Sequence, residues 1–106
     1  MAYKLRFVQK FSLKDKNSFL ELEKKFMEFE RNNTDMPQGR RYLSVSGREP
    51  SNTFIWECEF DTLELLTRQF EAIYDNVDHE ELLQKQVLYM EDCYAEIYEE
   101  FLLWEN

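Results

Sequence analysis

The single histidine limits the acid–base chemistry that this sequence can perform near neutral pH. His79 lies in the segment Asp78-His79-Glu80-Glu81, whose polar composition is typical of a first helical turn. Any mechanism that requires an imidazole base must use this residue. His79 is therefore the one candidate catalytic residue, and the alternative interpretation is a solvated histidine on the surface.

Other catalytic patterns are absent from the sequence. The sequence contains one histidine and neither a CxxC nor an HExxH motif, so no group of residues has the spacing of metal ligands. No GxSxG nucleophile motif and no glycine-rich phosphate loop occurs. We predict no metal site and no cofactor, and we expect Cys58 and Cys93 to be reduced, small buried residues.

Three further side chains are candidates for ligand binding. Trp56 is expected to point toward the helices, and its buried indole N–H would need a partner. Tyr42 is the second aromatic candidate. Arg6 and Glu57 are interpreted as a charge pair, which either has a structural role or orients an acidic ligand. Ordinary core packing of Trp56 is the alternative interpretation.

Composition and charge exclude several classes of protein. The chain has 106 residues, is 43% hydrophobic and carries a net charge of −9, which predicts one folded domain over residues 1–106. The acidic excess would repel nucleic acids and anionic membrane surfaces. No apolar run reaches the roughly 18 residues that span a bilayer, and no signal-peptide core is evident. We therefore expect a cytoplasmic protein that binds neither nucleic acid nor membranes.

Hydrophobic periodicity predicts the elements that position these residues. In chain order they are a strand at 3–12, a helix at 13–31 begun by a Ser12 capping box, strands at 40–46 and 53–60, a helix capped by Asp61, a short helix capped by Asp78, and a segment at 93–103. That last segment fits a strand or a helix, and we favour the strand because three strands leave the sheet without a partner. The order β-α-β-β-α-α-β predicts an α+β, ferredoxin-like split βαβ fold with a four-stranded antiparallel sheet. The first strand then lies between the third and fourth.

The predicted sheet also suggests a homodimer. One face is apolar and would pack on the helices: Leu5, Phe7, Phe11, Leu43, Val45, Phe54, Trp56 and Phe60. The other face mixes charged residues with Val8, Tyr42, Ile55, Tyr94 and Tyr98. An aromatic-rich, charge-paired face of this kind is a reasonable dimer surface, and a fully solvated face is the alternative.

Several segments, together with the element order, carry a resemblance to known proteins. They are Gly39-Arg40-Arg41-Tyr42, Gly47-Arg48-Glu49-Pro50, Asn52-Thr53, Trp56-Glu57, Phe60 and Glu96-Ile97-Tyr98-Glu99. The chain resembles the dimeric α+β-barrel superfamily, closest to NIPSNAP-like and antibiotic-biosynthesis-monooxygenase-like proteins. The resemblance implies two subunits packed sheet on sheet, with small-molecule pockets between each sheet and its helices.

The resemblance implies two principal functions. The first is a homodimeric small-molecule-binding or interaction module of the NIPSNAP-like type. The alternative is a cofactor-independent monooxygenase acting on an aromatic or quinol-like substrate, for which Trp56, Tyr42 and His79 would be the residues to test. A purely structural dimer is a third hypothesis. Haem-degrading members have an Asn on the first strand and a Trp on the helix after the third strand. Here that strand has no Asn and Phe70 replaces the Trp, which argues against haem degradation.

Overall fold

The computed structural model describes residues 2–101, and its seven main elements follow the predicted order. They are β1 (Tyr3–Phe11), α1 (Lys16–Asn32), β2 (Arg40–Leu43), β3 (Thr53–Phe60), α2 (Leu63–Asp75), α3 (Val77–Val87) and β4 (Met90–Glu99). The strands form one antiparallel sheet in the order β2-β3-β1-β4. The α+β, ferredoxin-like fold is therefore confirmed, with β1 between β3 and β4.

The core lies between one face of the sheet and the helices. Side chains alternate across a strand, and one face of β1 and β3 directs its buried apolar residues to the helical side: Leu5, Phe11, Phe54, Trp56 and Phe60. From α1, Phe19 packs against Phe11 and Phe54, with ring centroids 5.1 and 5.6 Å apart. Phe11 and Phe19 are completely buried, and burial of such a side chain contributes about 1.5–3 kcal/mol. These rings fix α1 on the sheet.

The second strand is shorter than the sequence predicted. It ends at Leu43 instead of residue 46, because the chain turns where the Ser44 hydroxyl donates to the Glu49 carbonyl at 3.0 Å. Leu43 and Val45, expected in the core, are 42% and 94% exposed. That part of the predicted apolar face is wrong.

The helix caps also differ from the predicted ones. Ser12 makes no side-chain cap hydrogen bond, and a short 3-10 turn (Leu13–Asp15) precedes α1. Thr62, and not Asp61, caps α2 by accepting from Leu65 N at 3.0 Å. Asn76, and not Asp78, caps α3. Neighbouring residues here are all good cap formers, so sequence alone does not select between them.

The last predicted strand is confirmed, with shifted bounds. It begins at Met90 instead of residue 93 and ends at Glu99. Residues 102 and 103, which the prediction included, lie outside the described residues. Among residues 2–101, no helix is long and apolar enough to cross a membrane.

The face of the sheet away from the helices carries cross-strand ion pairs. Arg6 contacts Glu57 through Nη2 and Oε2 at 2.5 Å, which confirms the expected pair. Lys10 Nζ lies 3.3 Å from Glu49 Oε2, and the Tyr94 hydroxyl donates to Glu49 Oε1 at 3.0 Å. The Arg6–Glu57 pair joins β1 to β3. The two contacts of Glu49 join the loop that precedes β3 to both β1 and β4.

Candidate functional site

A cavity of about 150 Å³ lies between the helical side of the sheet and the three helices. Its aromatic walls are Phe7, Phe26, Phe29, Trp56 and Tyr74. Polar side chains also line it: Gln9, Glu23, Glu30, Arg41, His79, Gln86 and Cys93. A cavity of this volume accommodates roughly one benzene-sized ring. The cavity is therefore the candidate site, and it suits a small organic molecule.

Regular spacing on α1 and α3 brings the lining residues to the cavity. On α1, Glu23 and Glu30 are seven residues apart, which places both on the face that also buries Phe26. On α3, His79 and Gln86 have the same separation. Trp56 of β3 forms part of the sheet side of the cavity, as expected for a residue that points toward the helices.

Arg41 is held between two carboxylates beside the cavity. Its Nε donates to Glu23 Oε2 at 2.6 Å, and its Nη2 donates to Glu30 Oε2. The side chains of Arg41, Glu23 and Glu30 are only 14%, 8% and 14% exposed. The three form a nearly buried charge cluster that joins β2 to α1, with a net charge of −1 when both carboxylates are ionised.

Glu30 also supplies the partner that the Trp56 indole requires. Trp56 Nε1 donates to Glu30 Oε2 at 3.3 Å, and Gly39 N donates to Glu30 Oε1 at 2.9 Å. A Cβ at position 39 would lie 1.9 Å from Trp56 Nε1. The indole can occupy this place only because residue 39 is glycine, since a methyl group there would overlap the ring.

Gln86 connects α3 to the charge cluster. It is completely buried, and its Nε2 donates to Glu23 Oε1 at 3.0 Å. Its Oε1 has no hydrogen-bond partner among residues 2–101. Burial raises the pKa of Glu23, although the hydrogen bonds from Gln86 and Arg41 oppose this shift. Ionised Glu23 therefore carries a free-energy penalty from desolvation in the folded protein.

His79 is a half-buried residue of the cavity wall, so its interpretation as a solvated surface histidine is wrong. Its backbone N–H donates to the Asn76 cap at 3.0 Å, and its ring lies 5.0 Å from Phe26 and 6.1 Å from Phe29. The Nδ1 atom is buried, with no partner in the described part of the chain. Burial lowers the pKa of His79, opposed by Glu30 and Glu80. The imidazole is thus neutral at pH 7 and can accept a proton.

Tyr42 and Arg6, the other two predicted ligand-binding residues, do not line this cavity. Tyr42 is 46% exposed on the opposite face of the sheet. Arg6 lies on that same face, with its guanidinium carbon 5.2 Å from the centroid of the Tyr98 ring. The structure thus brings Trp56 and His79 together at one cavity and leaves Tyr42 and Arg6 on the face predicted for dimerisation.

The two cysteines are free thiols and do not form a disulfide with each other. Cys58 is half-buried, and Cys93 is exposed at the edge of the cavity, so the expectation that both are buried is wrong for Cys93. Partial desolvation by the surrounding atoms raises the pKa of both thiols, which keeps them protonated at neutral pH. Residues 2–101 contain no cluster of three or more His, Cys, Asp or Glu that could hold a metal ion.

The charge cluster was not identified as a site from the sequence, although a signal for it exists. Glu23 and Glu30 each follow a phenylalanine of the buried stripe, Phe19 and Phe26, by four residues. A carboxylate at such a position must face the core, where it requires a buried partner. The partner, Arg41, is distant in the sequence, and no local pattern pairs it with these carboxylates.

The comparisons with known proteins show the fold. No family model matches the sequence, and a search of curated proteins found no match. Among solved structures, a NIPSNAP family protein from Agrobacterium tumefaciens strain C58 is 8% identical, with 97% of this chain and 96% of that chain covered and a TM-score of 0.78. An antibiotic biosynthesis monooxygenase is 12% identical over 94% and 99% of the two chains, with a TM-score of 0.69.

A third similar structure is that of a dimeric protein. A dimeric protein of unknown function with a ferredoxin-like fold, from Bacteroides fragilis NCTC 9343, is 16% identical over 92% and 95% of the two chains, with a TM-score of 0.67. At these identities the likeness concerns the fold alone. The chain has the fold of NIPSNAP family proteins and of an antibiotic biosynthesis monooxygenase, which is the fold that the resemblance drawn from its sequence implied.

Proposed function

We propose that this protein is a homodimeric module that binds a small organic molecule in the cavity between its sheet and its helices. The observation that carries the proposal is the cavity of about 150 Å³, which has aromatic walls and a nearly buried cluster of polar side chains. A mostly apolar cavity with a few convergent polar groups is the usual form of a ligand site. Two buried atoms of the cavity lining, Gln86 Oε1 and His79 Nδ1, have no partner among residues 2–101, and they would gain from a ligand that carries hydrogen-bond donors.

The binding proposal is tested by closing the cavity without disturbing the core. Val87 lines the cavity and is 51% exposed, whereas the adjacent Leu88 is 78% exposed and does not line it. Isothermal titration with benzyl alcohol, a one-ring probe with a hydroxyl donor, is expected to give saturable binding to the wild type and Leu88→Trp. Val87→Trp is expected to lose it. Equal binding by both variants would place the probe elsewhere and refute the proposal.

The dimer proposal rests on the outer face of the sheet. Tyr42 and Tyr98 leave 46% and 44% of their surface exposed there, beside the Arg6–Glu57 pair. The dimeric Bacteroides fragilis protein has the same fold. Native mass spectrometry is expected to give twice the subunit mass of 13.0 kDa. Tyr98→Glu should dissociate the dimer and the exposed control Leu13→Glu should not, while a monomeric wild type would contradict the proposal.

A cofactor-independent monooxygenase is the second candidate function, and the neutral His79 imidazole favours it. In this mechanism His79 accepts the proton of a phenol or quinol hydroxyl, and the electron-rich anion reacts with O₂. One oxygen atom enters the substrate, and the other leaves as water with two hydrogens and two electrons from the substrate. Oxygen uptake with one-ring phenols and quinols tests it, and turnover that survives both His79→Gln and Trp56→Phe would exclude this mechanism.

A further inference from the structure

The charged groups at the cavity favour one class of ligand. We infer, on the basis of the binding function proposed above, that the cavity selects a small organic cation, a protonated amine on a single ring, over neutral and anionic molecules of the same shape. Its charged lining residues within the described chain are Glu23, Glu30 and Arg41. With both carboxylates ionised, they and the one guanidinium leave an excess of one negative charge.

Arg41, the one cation among the described lining residues, is not available to bind an anion. Arg41 donates to Glu23 Oε2 through Nε at 2.6 Å and to both carboxylate oxygens of Glu30 through its terminal nitrogens. A carboxylate ligand would have to displace one of these partners and leave it unpaired in a nearly buried position. A ligand cation requires no such exchange, because it neutralises the excess charge.

The uncharged lining groups support the same selection. Phe26, Phe29 and Trp56 surround the cavity, and the faces of aromatic rings attract ammonium groups. The buried Oε1 of Gln86 lacks a partner among residues 2–101, and an amide oxygen can only accept. An ammonium group, which has donors and no acceptor, complements this lining better than a hydroxyl or a carboxylate.

A matched series of three one-ring ligands tests the inference: benzylamine, which is cationic at pH 7, benzyl alcohol and benzoate. An opposite charge within about 4–6 Å typically favours the charged form of a group by 1–3 pKa units. We therefore expect benzylamine to bind wild-type protein about tenfold or more tighter than benzyl alcohol, with benzoate weakest, by isothermal titration. Val87→Trp should remove benzylamine binding and Leu88→Trp should retain it. Benzylamine binding that survives Val87→Trp would reflect general attraction to an acidic surface and would overturn the inference.

A variant that removes one negative charge from the cavity provides a second test of the inference. In Glu30→Gln the preference for benzylamine over benzyl alcohol should fall about tenfold, toward equal affinity. The wild-type ligand series decides the matter even if this variant does not fold. Equal affinities, or tightest binding of benzoate, would overturn the charge selection and leave the binding function standing. Absence of binding by all three would overturn both.

Discussion

Removing Arg41 should destabilise the protein far more than removing the arginine beside it. In Arg41→Met, the carboxylates of Glu23 and Glu30 lose their shared counter-ion while remaining 8% and 14% exposed. Breaking a buried ion pair from one side costs about 3–5 kcal/mol, and the partial exposure here favours the lower end, about 3 kcal/mol. Arg40 is the matched control, because it is exposed on the opposite face of the same strand.

Urea denaturation at one fixed protein concentration measures this difference. With a slope of about 1–3 kcal/mol per molar urea, the Arg41→Met midpoint should fall by roughly 1–3 M, whereas Arg40→Met should change the unfolding free energy by less than about 0.5 kcal/mol. The triple variant Arg41→Met/Glu23→Gln/Glu30→Gln, which removes all three charges, should recover most of the loss. An Arg41→Met variant as stable as Arg40→Met would refute the description of this cluster as buried and charged.

Three further perturbations follow from the packing and the pKa shifts. Phe19→Ala should lower the unfolding free energy by about 3–5 kcal/mol, measured in urea, and a loss under 1 kcal/mol would contradict the core as described. Gly39→Ala should cost about 1–3 kcal/mol and shift the Trp56 indole N–H resonance, because the new methyl group displaces the ring; an unchanged resonance would contradict the contact. Burial in the folded protein favours the neutral form of His79 and lowers its pKa below the ordinary value of 6.5. The stability that the neutral imidazole contributes is therefore fully present above pH 6.5 and is lost as the pH falls toward the lowered pKa of the folded state. His79→Gln should lack this loss between pH 7.5 and 5.5 in urea titrations, and parallel pH profiles for the two proteins would contradict it.

The sequence predicted the fold well because its elements have strong local patterns. Period-two alternation identified β1 and β3, and the apolar spacing of three and four identified α1. The boundaries were less accurate where adjacent residues have similar local preferences. Thr62 and Asp61 are both cap formers, for example, and the geometry of the chain entering α2 selects Thr62.

The candidate site was predicted only in part. Trp56 was expected at a pocket because its strand register directs it to the helices, and the structure places it at the cavity. The surroundings of His79 were misjudged, because a polar first turn gives no indication that Phe26 and Phe29 pack against the imidazole. The partnership of Arg41 with α1 depends on how α1 crosses the sheet, which local sequence patterns do not encode.

The most direct test of ligand binding at the cavity is a two-dimensional NMR titration that follows the Trp56 indole N–H and the Gln86 side-chain amide. Both groups line the cavity and donate to its carboxylates. Benzylamine at pH 7 should shift both resonances saturably in the wild type and in Leu88→Trp, and should leave them unmoved in Val87→Trp. Shifts confined to exposed residues, or resonances that respond equally in Val87→Trp, would show that the cavity is not a binding site.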